Sequence, residues 1–173
     1  MPEPEISYRQ IIRTLSGANI RYVVIGGVAM HLHGASNLTF DMDISFARDR
    51  ENTVMLATTL SAHRARPRGF PADLPFVIDA QTFRNSTNLT LDTDWGAFDL
   101  LAEPDGVDGF AGLWERAVTM QVEEMRVRVA SIPDLIAMKR AADRPKDREH
   151  IMQLEALSRL RDAANVSEPI SEK

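Results

Sequence analysis

The chain has 173 residues, 44% of them hydrophobic and 26% charged, the proportions of an ordinary globular domain long enough to bury a core. It has no cysteine, which excludes disulfides and thiolate metal sites and leaves carboxylate and imidazole as metal ligands. A formal net charge of −5 argues against a surface built broadly for nucleic acid, and no apolar run nears the ~20 residues that span a bilayer. The opening Met-Pro-Glu-Pro-Glu has neither the basic nor the apolar region of an export signal, so a cytoplasmic protein without membrane association is expected.

In chain order, Ser7 to Leu15 predicts an amphipathic helix, because Tyr8, Ile11, Ile12 and Leu15 recur on one face. Ser7 with Gln10 fits a capping box, and Gly17 fits the helix stop. Arg21 to Ile25 predicts a strand whose continuous β-branched character suggests burial on both faces. Gly26-Gly27 ends that strand and opens a short apolar helical segment. Asp41 to Phe46 alternates at the period of a second strand, with Met42, Ile44 and Phe46 on one side and Asp41, Asp43 and Ser45 on the other. A helix from Glu51 to about Ala62 follows, capped by Asp49.

Arg64 to Pro75, with Pro67, Gly69, Pro71 and Pro75, predicts a loop. Phe76–Ile78, Leu89–Leu91 and Ala97–Leu101 predict short strands, Asp105–Gly109 a loop, and Leu113–Val118 a helix. Val118–Val122 and Met125–Val129 fit a hairpin across Glu123-Glu124. Ser131-Ile132-Pro133-Asp134 is a helix start, with a hydroxyl cap and an early proline; Pro145 ends that helix. A last helix runs from about Asp147 to Leu160. The expected organisation is a single domain over residues 1–162, with 163–173 as a disordered tail.

The candidate chemistry begins with Asp41 and Asp43, roughly 6.6 Å apart along one strand face. Two such carboxylates ionise together only with a cation between them, and oxygen donors without sulfur favour Mg²⁺ or Mn²⁺. The same pattern also fits the wet face of an edge strand. A strand-to-helix turn at Gly26-Gly27 suits a phosphate, since backbone N–H groups converge there and no Cβ blocks approach; alone it equally fits a tight structural turn. There is no P-loop or dinucleotide fingerprint.

Asp99 is a third carboxylate within an apolar strand, costly to bury unless paired or metal-bound. Together with Asp41 and Asp43 it would hold two divalent ions ~3.5–4 Å apart and accept the proton of an attacking hydroxyl. Asp92 and Asp94 read as solvent-facing. Lys139 continues an apolar helical stripe and either snorkels to water or reaches the acidic cleft to touch triphosphate oxygens. Asp147 is expected to cap the last helix; the alternative has it orient Lys139 or Lys146. His31 and His33 read as packing or backbone-bonded groups. Two basic stretches, His63 to Arg68 and Lys139 to Arg148, read as solvated surface charge.

Gly26-Gly27, thirteen residues and then Asp41-Met42-Asp43 resembles the signature of the DNA-polymerase-β-like nucleotidyltransferase superfamily. More closely, the chain resembles the small AbiEii-type nucleotidyltransferase family, which includes toxin components of bacterial toxin–antitoxin systems. The matching stretches are Tyr22 to Gly27, His33-Gly34, Thr39 to Asp43, Phe98 to Leu101, and Asp134 to Lys139 through Arg144 to Asp147. The resemblance implies an α+β fold, a mixed twisted sheet flanked by helices with further helices at the C-terminus. It implies Mg²⁺ held by Asp41 and Asp43 with Asp99 as third acid, NTP phosphates at Gly26 and Gly27, and Lys139 as a phosphate contact. Relatives often carry arginine where Asn37 stands, so Arg48 or Lys139 would have to supply that charge.

Two functions follow as expectations. One is transfer of a nucleoside monophosphate from an NTP to a hydroxyl of RNA, protein or a small molecule, with RNA or an antitoxin protein as possible partners. The other is a catalytically degraded binding module of the same fold that works through a protein partner.

Overall fold

In the computed structural model, which describes residues 7–167, the chain builds a seven-stranded mixed sheet in the order β3-β4-β5-β2-β1-β7-β6. Helix α1 (Tyr8–Gly17) buries Ile11, Ile12 and Leu15, the predicted face. Its ends differ from expectation. The Ser7 side chain makes no capping bond, and the left-handed residue beyond the helix is Asn19 at φ 55°, not Gly17. Asparagine tolerates that region better than most residues with a Cβ.

Strand β1 (Tyr22–Ile25) is buried at every position, antiparallel to β2 (Asp41–Phe46) on one side and parallel to β7 (Met125–Val129) on the other. A strand with neighbours on both edges and cover on both faces reads as a continuous apolar run, which is why it does not alternate. Helix α2 (Gly26–Leu32) follows directly and sends Val28, Ala29 and Met30 into the core. Helix α3 (Arg50–Ala62) starts as expected, with the Asp49 side chain accepting from the Asn52 N–H.

The segment after α3 departs from the sequence reading. Arg66 and Pro67 form a short edge strand, β3 (Arg66–Pro67), antiparallel to β4 (Asn88–Thr93). Proline is tolerated at such an edge. Phe76–Ile78 is not a strand: the edge beside β4 is already occupied by β3, and this stretch leads irregularly into α4 (Ala80–Asn85). The sequence reading missed α4, although Asp79 and Thr82 form the reciprocal capping box that starts it.

Strand β5 (Gly96–Leu101) carries Asp99. Helix α5 (Gly109–Arg116) begins four residues before Leu113 and ends ahead of β6 (Val118–Val122). The β6–β7 hairpin has the predicted bounds, with Glu123 at φ 52° in its turn. Helix α6 (Ile132–Ala142) is capped by Ser131, which accepts from the Asp134 N–H. Pro145 opens α7 (Pro145–Ser167), where its missing N–H costs nothing. That helix runs past Leu160 to Ser167; residues 168–173 of the expected tail lie outside the described residues. Among the described residues no helix is long and apolar enough to cross a membrane.

The buried side chains form one cluster that includes Met42, Ile44 and Phe46 of β2, Phe98 and Leu100 of β5, and Leu154 of α7. Phe46 meets Phe83 of α4 edge to face at 5.8 Å. Truncating a core ring such as Phe98 to alanine would cost ~3–5 kcal/mol.

Candidate active site

Register brings the acids together. Strand β2 pairs in parallel with β5, placing Asp43 opposite Asp99 and Asp41 opposite Ala97. Cross-strand partners share a face, so Asp41, Asp43 and Asp99 project to the same side of the sheet. One carboxylate oxygen from each lies within 4.8 Å of the others. The other face carries Met42, Ile44, Phe98 and Leu100, all at 0% exposure. A one-residue slip of β2 would drive Asp41 and Asp43 into that core, which fixes the register.

The glycine turn closes directly on this cluster. Gly26 sits at φ 65°, and a Cβ there would stand 2.1 Å from Asp43 Oδ2. A Cβ on Gly27 would stand 2.5 Å from Thr39 Oγ1. Thr39 Oγ1 donates to both the carbonyl and Oδ1 of Asp41, each at 3.0 Å. Asn37 Nδ2 donates to the Gly27 carbonyl at 3.0 Å, while its Oδ1 is buried without a partner. Asn37 therefore ties down the turn and brings no positive charge to it.

The cations come from two sides. Lys139 does not snorkel: it is 7% exposed, with Nζ 3.1 Å from Asp147 Oδ1. Asp147 is 1% exposed and is not the N-cap of α7. From the first turn it reaches back to the Arg144 N–H at 3.1 Å and also binds Arg144 Nε at 2.9 Å. One carboxylate thus starts the helix and orients Lys139. Arg48 pairs with Glu103 and the Arg84 carbonyl, so it does not supply the charge missing at Asn37.

Arg68, in a stretch read from sequence as surface charge, places Nη2 2.6 Å from Asp99 Oδ1. Arg144, Lys146 and His150 also line the cavity. All four lie in or beside the two basic stretches; the sequence could not show which way their side chains face. Asp92 and Asp94 are exposed as expected, Asp94 pairing with Arg64. His33 Nε2 contacts the Ala130 carbonyl at 2.8 Å, and His31 packs edge-on against Tyr8; neither joins the acids.

Burial, reinforced by the charges of Asp41 and Asp99, pushes the Asp43 carboxyl up to about 7 against the pull of Lys139 and Arg144. Burial also raises Asp99, partly offset by its Arg68 ion pair. Burial acts the same way on Asp147, but hydrogen bonds from Arg144 and Lys139 outweigh it and hold that carboxyl at about 2. Around Asp43 the acid cluster therefore stays short of positive charge, with Arg68 bound only at Asp99, whereas the Lys139–Asp147 pair is satisfied. Three converging hard oxygen donors of this kind fit a divalent cation. Above them opens a cavity of about 930 Å³, walled by the glycine turn, the acids and the α6–α7 cations.

No protein-family model and no curated protein matches this chain. Solved structures do. The lincosamide antibiotic adenylyltransferase LnuA, bound to lincomycin, superposes with TM-score 0.60 at 15% identity, covering 88% of this chain and 98% of its own. The fold is that of nucleotidyltransferases. An antigenic nucleotidyltransferase-like protein from Paracoccidioides brasiliensis matches with TM-score 0.53 at 17% identity, covering 91% of this chain and 78% of its own. ANT(2")-Ia in complex with adenylyl-2"-tobramycin matches with TM-score 0.50 at 15% identity, covering 91% and 96%. The nucleotidyltransferase fold bears out the expected α+β architecture, with its mixed sheet and C-terminal helices.

Proposed function

We propose that this chain is a divalent-metal-dependent nucleotidyltransferase, moving a nucleoside monophosphate from an NTP to an acceptor hydroxyl. The observation that carries this reading is the convergence of Asp41, Asp43 and Asp99 beside the Gly26–Gly27 turn in one large cavity. Asp41 and Asp43 hold Mg²⁺ or Mn²⁺, with Asp99 as the third acid; the ion neutralises charge on the phosphates. Gly26 and Gly27 give the triphosphate close access to backbone. Lys139 and Arg144 face it from the α6–α7 wall, with Asp147 fixing both.

The acceptor oxygen attacks the α-phosphorus and forms the new P–O bond. The bond to the β-phosphate bridging oxygen breaks, pyrophosphate leaves, and the hydroxyl proton passes to the Asp99 carboxylate. Catalysis in such a site is chiefly positioning and charge neutralisation.

The acceptor is a hydroxylated small molecule in the reading we favour. Leu38 and Phe40, 87% and 54% exposed, line the same cavity and offer apolar surface to a ring-bearing acceptor. The antibiotic adenylyltransferases among the structural neighbours support that choice. The AbiEii-type resemblance points instead to a cytoplasmic toxin that modifies RNA or protein and is restrained by an antitoxin. Incubation with each α-³²P-labelled NTP and Mg²⁺, offering aminoglycosides and lincosamides, total RNA and the protein itself as acceptors, separates these. Label should enter one acceptor class and be lost in Asp41→Ala. No transfer to any class, with Asp41→Ala indistinguishable, overturns the enzyme reading. A second reading, a module that binds nucleotide without turnover, is favoured by the neutral Asn37 and predicts binding without transfer.

A further inference from the structure

We infer that Arg68 is a built-in cation of the acid cluster: its guanidinium holds the Asp99 position that a second divalent ion would otherwise take, so the site binds one ion. This deepens, and rests on, the metal-site reading above.

Sheet register places Arg68 there. Its backbone N–H donates to the Thr90 carbonyl at 2.9 Å, continuing the β3–β4 pairing by one residue. Thr90 lies opposite Asp99 on β5, and Asp99 lies opposite Asp43 on β2. Arg68, Thr90, Asp99 and Asp43 thus form one row across four strands, and residues in such a row share a face. The side chain follows that geometry, with Nη2 2.6 Å from Asp99 Oδ1 and Nε 3.5 Å from Asp92 Oδ1.

Although its side chain is 38% exposed, this arginine is held on both flanks. Two residues before it, Arg66 gathers the next turn of chain, donating to the Pro71 carbonyl at 2.7 Å and the Ala72 carbonyl at 3.3 Å. The Arg66 guanidinium also lies 5.5 Å from the Phe70 ring centroid. Arg68 is therefore held between a strand pairing on one side and a clamped turn on the other, aimed at the acids.

Charge balance gives the consequence. One divalent ion and one guanidinium match the charge of Asp41, Asp43 and Asp99, with exposed Asp92 as a further partner of the guanidinium at the rim. A second divalent ion at Asp99 would have to share that carboxylate with Arg68, which holds Oδ1, and would stand beside a fixed positive charge that repels it. Arginine suits the task because it stays charged in any surroundings and its planar fork matches a carboxylate.

The test is Mn²⁺ titration followed by electron paramagnetic resonance, with and without α,β-methylene ATP, on the full chain. Wild type should take up one Mn²⁺. Arg68→Met should take up two, Arg68→Lys should return to one, and Asp99→Asn should stay at one. Arg68→Gln, which keeps polar atoms but no charge, stands in for Arg68→Met should that variant not fold. Two ions in wild type, or one in both uncharged variants, overturns the assignment and leaves the metal site standing. No Mn²⁺ bound to any of the proteins overturns both.

Discussion

Gly26 and Asp43 are in such close contact that a methyl group on the glycine would lie 2.1 Å from the carboxylate oxygen. The turn and the acid on β2 are one structural unit, not two motifs that happen to be near. Gly26→Ala places an alanine at φ 65° at a cost of ~1–2 kcal/mol before the clash is counted. We expect a lower midpoint in urea unfolding and loss of Mg²⁺-dependent nucleotide binding. A variant that matches wild type in both would contradict this account of the turn.

The electrostatics predict how the metal-free protein responds to pH. Asp43, raised to about 7, favours the fold as the neutral acid. Its contribution is complete below the ordinary value of 3.8 and is lost as pH rises through about 7. Asp147, held at about 2, works in the other direction: its contribution is present above 3.8 and lost as pH falls toward 2. Thermal melts of wild type should therefore weaken on both sides of a maximum near the ordinary carboxylate range. Asp43→Asn should reduce the alkaline slope, leaving the part due to Asp99, which burial also raises, and Mg²⁺ should restore wild type at pH 7 and above. An alkaline slope unchanged in Asp43→Asn would count against Asp43 as its main source.

Lys139 and Asp147 are buried together at 3.1 Å, so removing the carboxylate strands the ammonium. Asp147→Ala should cost ~3–5 kcal/mol in denaturant unfolding, the usual penalty for breaking a buried pair. The double variant Lys139→Met, Asp147→Ala should recover much of that stability while nucleotide binding stays lost. Recovery of both would make the pair purely structural.

How much of this was legible in the sequence divides along one line. Local periodicity and capping chemistry identified β1, β2, the β6–β7 hairpin and the starts of α3 and α6, because each is specified by residues within a few positions. The three acids were legible for the same reason: Asp41, Asp43 and Asp99 are polar positions in otherwise apolar strands. Arg68 was not, since its direction depends on β3 pairing with β4, and a strand of two residues containing a proline has no pattern to read. The burial of Lys139 depended likewise on α7 folding back to present Asp147. The sequence showed an unexpected lysine on an apolar stripe but not the carboxylate that makes its burial tolerable. At α4 the Asp79–Thr82 capping signal was present, and the β-rich Phe76–Ile78 beside it misdirected the reading.

Calorimetric titration of NTP in the presence and absence of Mg²⁺ tests most directly whether the glycine turn and the acids form one metal-dependent triphosphate site. Wild type should bind at least one NTP with Mg²⁺ and bind it at least tenfold more weakly without. Asp41→Asn and Asp43→Asn should each abolish that dependence. Absence of binding to any NTP with Mg²⁺, or binding that ignores Mg²⁺ and both substitutions, would contradict the account.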